Sequence, residues 1–117
     1  MPEFVLTSSI RVIKLNAMDE KYCLHGIDFE WNEEKANINL QKHHISFSKA
    51  CELFFDPFVM PFDDEIIDGE VRFTALGMTV DWQILCVVYI WRGDVIRLIS
   101  ARLATIHERK RYESGTT

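Results

Sequence analysis

The residues of this 117-residue chain whose types could do chemistry are Lys42 and His43, Glu70 and Arg72, and Arg97 and Arg102. They suit metal-independent phosphoryl transfer. Cleaving RNA in that way needs a base to take the 2′-hydroxyl proton, a cation to hold the phosphate as negative charge builds, and an acid to protonate the departing 5′-oxygen. Histidine serves as base or acid near neutral pH, and a guanidinium matches phosphate oxygens bidentately. This inventory is sufficient for the chemistry but not specific to it, because a histidine at a helix end also caps or packs. Arg97 and Arg102 are an odd number of residues apart, so in a regular strand they face opposite sides; only a bulge or a strand end would bring them to one site. Arg109, Lys110 and Arg111 read equally as a solvated helix face, and Tyr112 can simply pack against the first turn of its own helix.

Other chemistries fail on spacing. His43 and His44 are adjacent and diverge on a helix, His25 and His107 are isolated, and there is neither an HExxH nor a paired-cysteine pattern, so no metal site is expected. Asp64, Asp68 and Gly69 suggest a calcium loop, but Ile66 occupies the middle ligand position and Ala75 the closing one. No glycine-rich phosphate loop follows a strand, no GxSxG elbow occurs, and no cofactor is expected. Trp31, Trp82 and Trp91 are not interleaved with basic residues and read as core or rim rather than base-stacking platforms.

The elements that must hold these residues follow from pattern. Ile27, Phe29 and Trp31 alternate with acids as a half-buried strand. Asn32 caps a helix opened by Glu33 and Glu34 and running to about His43. Ser46 caps a second helix, with Ile45 and Ala50 as a hydrophobic staple and Phe47, Ala50, Cys51 and Phe54 as its apolar stripe; Asp56 and Pro57 end it. An acidic loop from Asp63 to Glu70 leads into a strand over 71–78. Residues 84–91 form a strand buried on both sides, Gly93 and Asp94 turn the chain, and 95–101 returns. Thr105 and Glu108 have capping-box spacing for a C-terminal helix reaching Gly115. The expected fold is α+β, a small twisted antiparallel sheet packed by helices in the order β-α-α-β-β-β(-β)-α.

The length admits one domain, and 48% hydrophobic residues supply its core. Three cysteines, widely spaced, read as reduced thiols. No stretch is apolar enough to span a bilayer and no secretory leader is evident, so cytoplasmic residence is expected. The net charge of −5 is segregated: residues 28–70 hold eleven acids against three lysines, and residues 71–117 hold seven basic residues against four acids. The acidic part could meet a basic partner and the basic part phosphate. Residues 1–26 read as an extension, with Met18 an alternative start to Met1; 27–115 form the domain and 116–117 a tail.

Phe29-Glu30-Trp31-Asn32, Lys35, Asn39-Leu40, Lys42-His43, Ser46-Phe47, Ala50, Phe55-Asp56-Pro57, Gly69-Glu70-x-Arg72, Leu76-Gly77, Val87-Val88-Tyr89 and Arg97-x-Ile99-Ser100-Ala101-Arg102-x-Ala104-Thr105, in this order over about residues 27–115, resemble the BrnT family of toxins. The resemblance implies a RelE-like ribonuclease fold and a type II toxin–antitoxin system. It also implies metal-independent RNA cleavage that inhibits translation, and neutralisation by a BrnA-like ribbon-helix-helix antitoxin, through which alone the system would touch DNA. Lys42, His43, Arg72 and Arg102 carry over as the active-site group, and Lys35, Arg97, Arg109 and Tyr112 are the expected RNA contacts. The family has glycine after the Lys-His pair where this chain has His44; glycine would allow a left-handed helix end, which histidine tolerates less easily. A degenerate toxin that keeps only the fold and the partner contact is the competing expectation.

Overall fold

The computed structural model describes residues 18–115. In chain order the elements are β1 (Asp19–Leu24), β2 (Ile27–Asn32), α1 (Glu33–His43), α2 (Phe47–Ala50) continuing as a 3₁₀ turn (Cys51–Phe55), β3 (Met60–Pro61), β4 (Glu65–Ile67), β5 (Glu70–Met78), β6 (Ile84–Arg92), β7 (Val95–Leu103) and α3 (Ile106–Ser114). The strands form one α+β sheet in the order β1-β2-β7-β6-β5-β3, with β4 on the remaining part of β5. Every pairing is antiparallel except β2 with β7, which run parallel through Phe29 opposite Ile96 and Glu30 opposite Arg97.

The start signals act as the side chains dictate. Asn32 accepts the Lys35 N–H at 3.0 Å and Ser46 that of Lys49 at 3.2 Å. Thr105 and Glu108 form both bonds of a capping box. His44 adopts the left-handed conformation (φ 62°, ψ 25°) and donates its N–H to the Leu40 carbonyl at 2.9 Å, so a histidine does the work of the expected glycine. The second helix departs from its expected stripe. It tightens to a 3₁₀ turn, and at three residues per turn Phe47, Ala50 and Leu53 align and are buried, while Phe54 is left half-buried.

Two differences concern the edges. Of the expected extension, residues 1–17 lie outside the described residues, as do 116–117 of the tail, but Asp19–Leu24 forms the outer strand of a hairpin turned by His25 and Gly26, both at positive φ. Its side chains are exposed or half-buried, so it lacks the strong apolar alternation of a core strand, although Tyr22 and Leu24 reach the core. The stretch read as an acidic loop contains β4, an edge strand whose residues meet Glu70, Val71 and Arg72.

The sheet has a core on each side. On one, Phe29, Ala75, Leu85, Val87, Ile96 and Leu98 pack with Ile45, Phe47 and Leu53 of the helical segment. On the other, Leu76, Ile84 and Cys86 meet Tyr112 of α3. The helix α3 covers only one end of this second side and leaves the rest open.

Candidate active site

Alternation fixes what the open side carries. Because Ala75, Gly77, Leu85 and Val87 are turned to the larger core, Arg72, Thr74 and Leu76 of β5 and Cys86, Val88 and Ile90 of β6 point the other way. Register then aligns Leu76, Cys86 and Arg102 in one cross-strand row and Thr74, Val88 and Ser100 in the next. A third contains Ile90, Arg97 and Glu30. Val88 faces Ser100 but Tyr89 faces Leu98, so Ile99 is a bulge in β7. That extra residue cancels the odd spacing and puts Arg97 and Arg102 on the same side.

Arg72 stands at the head of the open side. It is half-buried, it lies opposite Glu65 of β4, and its Nε is buried with no hydrogen-bond partner. The other two strand arginines are held. Arg97 donates to Asp19 at 3.1 and 3.2 Å and to Glu30 at 2.9 Å. Burial opposes its charge, but the hydrogen bonds to the two carboxylates outweigh burial and raise its pKa further. Arg102 meets Glu108 bidentately at 2.7 and 2.9 Å, and this contact holds the guanidinium charged. It also pulls the Glu108 carboxyl down to about 2, helped by the Thr105 N–H at 2.9 Å. Beneath the pair, burial pushes the Cys86 thiol up to about 11, so it is an unreactive packing group.

The end of α1 approaches from the side. Beyond its two-residue pairing with β2, the edge of β7 is met by a side chain: Asn39 accepts the Ala101 N–H at 3.1 Å and donates to the Ala101 carbonyl at 2.8 Å and the Ile45 carbonyl at 3.0 Å. His43 lies one turn beyond Asn39 on the same helix face, which carries it, with Lys42, toward the end of β7 that holds Arg102. His43 is half-buried and Lys42 exposed, and neither makes a hydrogen bond or ion pair within the described residues.

Register thus puts Ile90, Arg97 and Glu30 in line across β6, β7 and β2, with Arg72 at the head of β5 and Arg102 five residues beyond Arg97 on β7, while Lys42 and His43 stand on the turn of α1 beyond Asn39. Two strand spacings and four residues of rise separate the Arg72 and Arg102 backbones by about 16 Å. Lys35, in the first turn of α1, and Arg109, on α3, are exposed. Tyr112 is placed otherwise. It is only 7% exposed and donates its hydroxyl to Asp56 at 2.5 Å, and burial followed by that carboxylate raises its pKa, so it packs α3 to the sheet and its ring is turned away from the surface. Residues given no site role from sequence are Glu30, Thr74, Ser100, Asn39 and Glu108; Thr74 and Ser100 share the open side with Arg72 and Arg102 by the parity of their strands. Among the described residues no cluster of His, Cys, Asp and Glu could hold a metal, and no helix is long and apolar enough to cross a membrane.

Comparison with known proteins places this geometry. Residues 31–108 match the family model described as ribonuclease toxin, BrnT, of type II toxin–antitoxin system. No curated protein matches. Among solved structures, the 1.1 Å crystal structure of the Brucella abortus ribonuclease toxin, BrnT, is similar at 26% identity and a TM-score of 0.52, covering 64% of this chain and 92% of that one. The matched segment runs from Trp31 to Glu108 and so contains α1, the whole β5–β7 meander and every strand arginine discussed above. This chain belongs to the BrnT family of ribonuclease toxins of type II toxin–antitoxin systems.

Proposed function

We propose that this chain is a metal-independent endoribonuclease that cuts RNA on the open side of its sheet through attack of the ribose 2′-hydroxyl, and thereby inhibits translation. One observation carries the reading: Arg72 keeps an unpartnered guanidinium nitrogen on that side while Arg97 and Arg102 are ion-paired. A buried nitrogen donor without an acceptor costs stability, and a phosphate oxygen would satisfy it. The RNA strand crosses the half-buried Thr74, Val88 and Ser100, with Arg72 and Arg102 reaching the scissile phosphate from its two sides and Lys42 and His43 at the end of α1, where His43 moves the proton. The acidic hairpin at residues 63–70 attracts a basic BrnA-like ribbon-helix-helix antitoxin, which alone contacts DNA, and the pair acts in the cytoplasm. A silent binding module is the competing reading, favoured by the carboxylates that occupy Arg97 and Arg102.

The test compares RNA cleavage by the wild type and by Arg72→Ala in the presence of EDTA, with circular dichroism to establish folding. Loss of a donor to developing phosphate charge lowers the rate about a hundredfold to a thousandfold. A purely surface role for Arg72 would change it little, and a wild type inactive on RNA would favour the binding module. Arg102→Ala is a less clean probe, since it leaves the Glu108 carboxylate buried without its cation.

A further inference from the structure

At the far end of the β5–β6 hairpin, Trp82 is 81% exposed although its backbone lies in the left-handed region at φ 70°. A bulky aromatic residue is strained there, and an exposed ring gives the fold nothing in return. The turn that imposes this conformation is held firmly. Trp82 donates its N–H to the Thr79 carbonyl at 3.1 Å, and Val80 donates its N–H to Glu52 at 3.1 Å. Asp81 accepts the Thr79 hydroxyl at 2.5 Å and is ion-paired to Lys49. Val80 and Phe58, at 82% and 56% exposed, flank the ring. Trp82 lines two adjoining grooves of about 450 and 270 Å³, which share Asp56, Pro57 and Met78. Glu113 borders one groove and Glu52 the other.

We infer that the Trp82 ridge and its two grooves are a docking surface for an amphipathic segment of the antitoxin, with apolar side chains for the grooves and Lys or Arg for the carboxylates. The inference rests on the antitoxin partner of the preceding section. Exposed tryptophan beside an apolar groove is the usual anchor of a protein interface. Charge selects the partner: four carboxylates, Glu52, Asp56, Asp81 and Glu113, stand at or beside the grooves; Asp81 is paired with Lys49 and Asp56 accepts the Tyr112 hydroxyl, which leaves Glu52 and Glu113 to meet a basic segment. A second copy meeting this face through its own would oppose like charges, so a basic chain is the fitting occupant. The surface is formed by the β5–β6 turn, remote along β5 from Arg72, and none of Lys42, His43, Arg72 and Arg102 lines either groove, so a substitution of Trp82 can weaken docking without removing a group from the RNA chemistry.

The decisive variant is Trp82→Gly, because glycine adopts positive φ without a Cβ penalty. Wild type and variant are each co-expressed with the product of the adjacent reading frame, and the purified toxins are tested for melting temperature, RNA cleavage and affinity for that product. The expected variant melts no lower than the wild type, cleaves RNA at the wild-type rate, and binds at least tenfold more weakly, so co-expression no longer rescues growth. Wild-type affinity should fall as salt rises. Unchanged affinity in Trp82→Gly overturns the docking surface while leaving the partner assignment standing. A variant that loses cooperative unfolding overturns it by showing that the ring is structural, and concentration-dependent dimers of the wild type that the variant abolishes overturn it in favour of self-association. A wild type that forms no complex removes the partner reading itself.

Discussion

Asn39 illustrates how much one side chain decides. A single amide meets the N–H and carbonyl of Ala101 and the carbonyl of Ile45, all buried, so it stands in for a neighbouring strand. Replacing it by leucine keeps the branched shape, though not the volume, and leaves three backbone groups unpaired. Asn39→Leu should lose about 2–4 kcal/mol in urea unfolding, and a loss below about 1 kcal/mol would mean that water takes over these bonds. His44 offers the opposite sign. His44→Gly relieves the left-handed strain and should stabilise by about 1 kcal/mol, read as a higher urea midpoint at constant slope. Glu108 sets an acid limit. Its carboxyl is held near 2 by Arg102 and then Thr105, against an ordinary value of 4.5. The stabilisation is thus complete above about pH 4.5 and is lost as the pH falls toward 2. Glu108→Gln should lower the melting temperature at neutral pH and flatten its fall over that acid range; a fall as steep as the wild type's would assign it to other carboxylates.

The elements were legible to different degrees, for physical reasons. The helix caps at Asn32, Ser46 and Thr105 and the Gly93–Asp94 turn depend on neighbours in the chain, and their residues declare them. The side of β5 that carries Arg72 was readable from its alternation with Val71 and Phe73. The bulge at Ile99 was not, because a bulge is chosen by the partner strand, and with it went the placement of Arg97 on the same side of the sheet as Arg102. Glu30 and Asp19 as partners of Arg97 depend on a contact between residues 67 and 78 positions apart, beyond any local pattern. Tyr112 was misplaced for a similar reason, since its hydroxyl partner Asp56 lies 56 residues away. Packing between elements is equally hidden at Gly77, where an added Cβ would stand 2.9 Å from the Leu53 Cβ and 3.1 Å from its carbonyl oxygen. Gly77→Ala should therefore push the 3₁₀ turn off β5 and cost about 1–3 kcal/mol, measured by chemical denaturation.

For the whole molecule, the useful boundary is at Met18, whose carbonyl accepts the Glu33 N–H at 2.8 Å. A chain beginning at Met18 keeps every described element and should retain the melting temperature of the full chain, whereas one beginning at Ile27 loses β1, the Asp19 carboxylate that holds Arg97, and the Glu20 acceptor of the Trp31 ring N–H. Equal melting of all three would show that β1 is ornamental. The parallel union of β2 with β7 has another consequence, which concerns biosynthesis. Synthesis is vectorial, and the first hairpin must wait for a partner 67 residues downstream before the sheet can close. Until Val95–Leu103 has left the ribosome, β1, β2 and α1 have no central strand to join, and Arg97 and Arg102 cannot take their places in the sheet. A message broken before that point yields a fragment without the arginine-bearing centre. The sheet can thus close only late in synthesis, and a chain arrested early lacks the strand that joins its two halves.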